Sequence, residues 1–322
     1  MQCFGVCGAN AVIPSIDRQP ARVRLLFCAL LFCALLLIAV SLPVCAAQSA
    51  SAAVTAVSQQ IDAGHYRAAL QALAPLLERN AADAQLLALR GRAQLALHQN
   101  AAAADSFRQA VKLSPRNGRY RFWLGQALVK LIPQVSVFSR APLAKELRGA
   151  YQQAVELAPD FIPAHEAMLD FYVQAPFFFG GSLAKAREQA TTIAKLHPAR
   201  GARARAVIAA AEGHAQTAIG DYKIAIQQAP HDVELRVELG KLYLQQAFPH
   251  EACIMFRQAL QLAPDHIEAL QQLGWVASRS GQRVDLQAGA RALRHLVALA
   301  PEGVSMAEVR QHLEKIESML QT

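Results

Sequence analysis

The nearest approach to enzyme chemistry in the sequence is a pair of dipeptides. His165-Glu166 and His250-Glu251 begin as a zinc-protease helix begins, with a histidine ligand and a glutamate that would act as general base. Such a helix needs a second histidine four residues after the first, so that both ligands share one face. Leu169 and Ile254 stand there instead. Cys253 is the one cysteine beyond Cys45. It can form neither an internal disulfide nor a thiolate metal site, and it reads as a small buried apolar residue. Gly180-Gly181-Ser182 reads as a turn followed by a helix N-cap. A phosphate-binding loop would need a preceding strand and a lysine at fixed spacing, and both are absent. No Gly-x-Ser-x-Gly elbow and no dinucleotide fingerprint occurs. The expectation is a chain with no catalytic, cofactor or metal site.

The composition points to helices. Of 322 residues, 53% are apolar and only 7% aromatic. Ala, Leu, Gln and Arg dominate, and these side chains lose little freedom in a helix. No stretch alternates Val, Ile and Thr as a strand would. The formal charge of +8 favours acidic partners or anionic surfaces without choosing between them. The basic residues form no runs, which argues against nucleic acid.

Residues 25–40 are uncharged and apolar or small, and Arg18, Arg22 and Arg24 precede them. Ser41 and Pro43 follow, then a small-residue exit. These are the parts of a secretory signal, with cleavage expected after Ala46. Residues 25–44 would also nearly span a bilayer as an anchor. Cys45, in Leu42-Pro43-Val44-Cys45, offers lipid attachment as a third outcome. The leader before the apolar run is long, so translation starts downstream of Met1 or the leader is extended. On each outcome the protein is exported, to the periplasm or anchored in the membrane by residues 25–44. On the anchored outcomes the N-terminal segment supplies a membrane contact.

The strongest signal is internal repetition. FRQAVKLSP ends at Pro115, YQQAVELAP at Pro159, YKIAIQQAP at Pro230 and FRQALQLAP at Pro264. Each has an aromatic eight residues before the proline (Phe107, Tyr151, Tyr222, Phe256) and an alanine five before it (Ala110, Ala154, Ala225, Ala259). Degenerate copies end at Pro198 and Pro301. Leu124-Gly125, Leu239-Gly240 and Leu273-Gly274 mark the first half of three units, and Gly91 holds the same place in a fourth. Spacings of three and four put the marked residues on one helix face. Small residues let two antiparallel helices approach. Each proline stops a helix and turns the chain into the next unit.

This combination of Leu-Gly, Ala, aromatic, Ala and Pro resembles the tetratricopeptide repeat. The clearest unit is 233–264, and the resemblance covers about seven units over 50–301. It implies an all-α fold: an α-solenoid of antiparallel helix pairs. A capping helix is expected at 302–322, with Met306, Val309, Leu313, Ile316 and Leu320 on one side.

The resemblance also implies a groove lined by the first helix of each pair, at the family's second, fifth, ninth, twelfth and thirteenth positions. Where the register is clear these are Arg92; Arg119, Phe122, Gln126 and Lys130; Lys241 and Gln245; and Gln271, Trp275 and Arg279. The asparagines of the family's chaperone-binding Lys/Asn clamp are missing.

Two insertions interrupt consecutive units, at 131–142 and 175–182. Both are apolar where solvated loops would be polar, and they should lie side by side. They offer Val135, Phe138, Phe177, Phe178 and Phe179, either as an exposed contact patch or as a plug folded inward. The expected function is an exported scaffold for a protein or peptide partner in the cell envelope. The alternative is an accessory factor of an envelope enzyme or polymer-export machine, touching glycan or lipid through the Phe loop.

Overall fold

The computed structural model describes residues 52–302 and 304–321. The leader, its apolar stretch and Cys45 lie outside the described residues. Two compact units divide the chain, 1–56 and 57–322, and the account below concerns the second.

It is built from α-helices, with two short 3-10 turns and no strand among the described residues. In chain order they are α1 (52–62), α2 (Tyr66–Arg79), α3 (Ala84–Ala96), α4 (Asn100–Leu113), α5 (Gly118–Leu131), α6 (Val137–Leu157), α7 (Ile162–Gln174), α8 (Leu183–Leu196), α9 (Pro198–Ala211), α10 (Ala215–Gln228), α11 (Val233–Gln245), α12 (Pro249–Leu262), α13 (Ile267–Ser280), α14 (Arg283–Leu299) and α15 (Met306–Gln321). From α3 onward they pack as pairs, α3/α4 through α13/α14, and each pair packs on the next. The first helices α3, α5 and α7 also touch in succession, as do α7 with α9 and α11 with α13. The fold is an α-solenoid, and this stacking makes one side of it from first helices.

The sequence marks explain the pairs. Gly240 lies against the Phe256 ring, where an added methyl would stand 2.6 Å from the ring edge. A methyl at Gly125 would overlap Tyr151 in the same way. Phe107, Tyr151, Tyr222 and Phe256 are all buried; Gly91, Gly125 and Gly240 make room for Phe107, Tyr151 and Phe256 of their own pairs, and Gly274 does the same for Leu293. The marker alanines Ala110, Ala154, Ala225 and Ala259 are fully buried, and the carbonyl of each accepts the N–H that closes its helix. Asp83, Asn117 and Asp232 cap the following first helices with side-chain oxygens.

At the C-terminal end α15 packs on α13 and α14. Val309 and Ile316 are buried, and Met306, Leu313 and Leu320 pack against the same cluster. The predicted apolar face is the one that closes the stack.

The insertions are more ordered than loops. In the first, a 3-10 turn at Ile132–Gln134 leads into α6, which begins at Val137 and carries Pro142 in its first two turns. Residues 137–142 are therefore helix rather than the expected loop. Pro142 is the sixth residue of α6, past the first-turn positions whose N–H groups lack partners, so the helix forgoes the bond it would have made to the Phe138 carbonyl. In the second, Phe177–Phe179 form a 3-10 turn, Gly180 takes φ +104°, and Ser182 caps α8 through the Lys185 N–H. A side chain at Gly181 would collide with the Ala175 carbonyl. The Gly-Gly-Ser turn and N-cap stand as read.

Candidate functional site

The two insertions are neighbours, and they enclose an apolar recess on the first-helix side. A cavity of about 390 Å³ lies between α5, α6 and α7. Ile132 and Pro133 form one wall, and Pro176 and Phe179 the other. Tyr151 and Leu147 line it from within α6, and Arg140 stands at its edge. Its polar groups are few: Gln126, Asp170 and Gln174 as well as Arg140. Gln126 holds the family's ninth groove position. Asp170 and Gln174 hold the ninth and thirteenth in the next unit, so the cavity is continuous with the first-helix face. An apolar recess with a few convergent polar groups is the usual form of a small binding pocket.

Burial within this pocket pushes the Asp170 carboxyl up to about 6. Arg203, 4.0 Å away, pulls the other way, and Glu238 and Glu166 add to the rise. Burial also pushes the Tyr151 hydroxyl well above its usual range, so it remains a neutral donor.

Next to the cavity lies a cluster of six charges that the sequence marks do not reveal. Arg203 makes a bidentate pair with Glu238, with two contacts of 2.7 Å. It also faces Glu166 at 3.6 Å. Arg200 bridges Glu166 at 3.6 Å and Asp232 at 3.2 Å. Four carboxylates thus share two guanidinium groups across three repeats. Burial raises the Glu166 carboxyl, against the pull of Arg203 and Arg200. Burial also opposes the Arg203 charge, but its bond to Glu238 and the surrounding carboxylates hold it firmly cationic. Glu166 and Asp170 occupy the fifth and ninth groove positions. Counted back from Pro230, Arg200 and Arg203 occupy the second and fifth. Neither unit carries a Leu-Gly pair, so the register was not assigned there. Extending the spacing from the flanking prolines would have found them.

Towards the N-terminus the face is cationic and aromatic. Arg92 pairs with Asp62 at 2.8 Å and lies 5.4 Å from the Trp123 ring, tying successive repeats. Arg119 lies exposed, 5.2 Å from the Phe161 ring. Phe122, expected to line the groove, is instead buried against Trp123, Tyr151 and Phe161. In this unit the fifth position points into the aromatic packing between pairs. Lys130 is exposed.

Towards the C-terminus Lys241 is ion-paired with Glu268, and Gln245 is exposed or nearly so. Gln271 is half-buried, and Arg279 lies at the exposed end of α13. Trp275 is half-buried and packs edge-on against His312 of α15, 5.3 Å away. The capping helix takes part of the surface expected to serve the groove.

Of the insertion residues, Phe138, Phe177 and Phe178 are 94%, 85% and 68% exposed. Val135 packs against the core, and Phe179 turns one side to the cavity. The inward plug is thus limited to Val135 and part of Phe179.

The histidines and the lone thiol have structural partners. His165 is buried, with ring nitrogens 2.8 Å from Gln189 Oε1 and 2.9 Å from the Pro159 carbonyl. His250 Nδ1 lies 2.7 Å from buried Asp285. Cys253 lies one turn on from His250 in α12, near Asp285 of α14, and the trio has the residue types of a thiol nucleophile site. The thiol is fully buried, and burial together with Asp285 pushes it up to about 12. It stays protonated and inert. Among the described residues no group of three or more acids, histidines or cysteines is placed to hold a metal.

Residues 233–266 match the model of the tetratricopeptide repeat. Among solved structures, the chain is similar to a thermophilic TPR protein from Thermus thermophilus. The TM-score is 0.51 at 23% identity, covering 61% of this chain and 99% of that one. It is also similar to a tetratricopeptide repeat protein from Parabacteroides merdae, with TM-score 0.52 at 13% identity, covering 84% of this chain and 99% of that one. No curated relative matches by sequence. Residues 233–266 thus carry a tetratricopeptide repeat, and the stacked helix pairs share the fold of tetratricopeptide-repeat structures.

Proposed function

We propose that the chain is an exported scaffold of the cell envelope that holds a protein or peptide partner on its first-helix face. The tetratricopeptide fold is that of an interaction scaffold. The observation that carries the reading is the cavity of about 390 Å³ continuous with that face. It has room for one large apolar side chain, and Gln126 and Gln174 can bond the backbone on either side of it. Export rests on the sequence at 18–46.

Photocrosslinking in cells tests the partner reading. With a photoreactive residue at Gln174, one discrete protein adduct is expected. The same residue at exposed Lys223 on α10 should give none. Equal labelling at both positions, or none at Gln174, would refute the site. Export is tested separately by N-terminal sequencing and fractionation. A mature start near Ala47, or the intact chain in membranes, is expected. A full-length soluble cytoplasmic protein would refute it.

A further inference from the structure

We infer that the aromatic turn at Phe177–Phe179 and the start of α6, which flank the cavity, form a docking surface for an anionic lipid bilayer. The rings project rather than fill a recess. Phe177 and Phe178 meet edge to face at 5.5 Å, and neither lines the cavity beside them. Across the cavity, Val137 and Phe138 are exposed at the first turn of α6, 70% and 94% respectively. Backbone hydrogen bonds close the turn that holds the rings: the N–H groups of Gly180, Gly181 and Ser182 donate to the carbonyls of Phe177, Pro176 and Tyr172.

Charge around the rings is mostly positive. From 130 to 148 the basic residues are Lys130, Arg140, Lys145 and Arg148, and the single acid is Glu146. Glu146 is already taken by Arg108, at 2.8 Å. From 175 to 187 there are Lys185 and Arg187 and no acid. Arg187 is paired with Glu212, but Lys185 has no carboxylate partner in the turn. The Arg148 guanidinium stands against Gly180, at the foot of the aromatic turn. Arg140 folds over the first insertion and reaches the Val135 carbonyl at 3.3 Å. Projecting rings with a cationic rim fit a surface that is apolar below and negative above. The rings enter the acyl boundary while the long basic side chains remain among the headgroups.

The test uses the full-length chain with p-benzoyl-phenylalanine at Phe178, mixed with vesicles of phosphatidylcholine containing about 30% phosphatidylglycerol. A lipid adduct is expected on irradiation. The same photoreactive group at exposed Gln228 on α10 should give little, so a tether elsewhere in the chain cannot mimic the result. With phosphatidylcholine alone, or in a folded Arg140→Glu, Arg148→Glu, Lys185→Glu variant, the Phe178 adduct should fall about tenfold or more. Circular dichroism checks the fold of each variant. Equal adducts at both positions, adducts indifferent to phosphatidylglycerol, or crosslinks to a second copy of the chain in place of lipid would each overturn the proposal.

Discussion

Two stretches of the first-helix face carry dense charge and use it in opposite ways. Around α7, α9 and α11, Arg200 and Arg203 are enclosed by Glu166, Asp170, Asp232 and Glu238. Around α3 and α5, Arg92 and Arg119 lie over aromatic rings, and Arg119 has the open face of Phe161. The first cluster pairs its charges internally and ties three repeats together, although Glu166 Oε1 and Arg203 Nη1, 3.6 Å apart, make no hydrogen bond. In the second, Arg92 is paired with Asp62 while Arg119 stays exposed and available to a partner. A charged residue at a groove position is thus no sign of a contact until its own partners are counted. The cavity lies between the two stretches and shares Asp170 with the first.

Removing one charge from the closed cluster should have the largest effect. Arg203→Met leaves Glu238, Glu166 and Asp170 facing one another at a side chain that is only 11% exposed. Breaking a buried pair by removing one partner costs about 3–5 kcal/mol, and denaturant unfolding would measure it. A loss below about 1 kcal/mol, as at exposed pairs, would erase the distinction between the two stretches. Tyr151→Ala, which empties the core behind the cavity, should cost a similar amount, about 3–5 kcal/mol.

The pH dependence is smaller and has a defined sign. In the folded chain Asp170 takes up its proton at about 6, whereas an unfolded aspartate does so at about 4. Between those values the folded state binds the extra proton, so this group's contribution to stability rises as pH falls from about 7 to about 4. Asp170→Asn should therefore be at least as stable as the parent at neutral pH, with the difference vanishing towards pH 4. Carboxyl NMR should place the Asp170 midpoint near 6. A midpoint at or below the ordinary aspartate value would mean that the cavity is well solvated.

Arg119→Glu should change the melting temperature little, since an exposed cation–π contact is worth about 0.5–1 kcal/mol. Smallest of all should be Phe177→Ser with Phe178→Ser, within about 0.5 kcal/mol for each exposed position. A loss of several kcal/mol there would return the turn to the core.

Helix pairs and their order were legible because Phe107, Tyr151, Tyr222 and Phe256, with their alanines and prolines, repeat the same packing problem. The neighbouring insertions were legible too, since successive turns fall on one edge. What was missed depends on contacts between units. Phe122 turns inward because Trp123 and Phe161 surround it, and Trp275 is covered because α15 folds back over it. Glu166, Asp170 and Arg203 lie in units whose first helices lack the Leu-Gly mark. Their meaning appears only when three repeats are stacked and opposite charges from different helices meet.

The central claim is that the cavity, rather than the whole first-helix face, anchors the partner. The direct measurement is to block it. Ala144 lines the cavity and is half-buried, so Ala144→Trp should fill the open recess without entering the close-packed core. The expected result is that the photoreactive residue at Gln174 loses its protein adduct while the melting temperature holds or rises. An adduct of undiminished intensity in the folded Ala144→Trp chain would contradict the account.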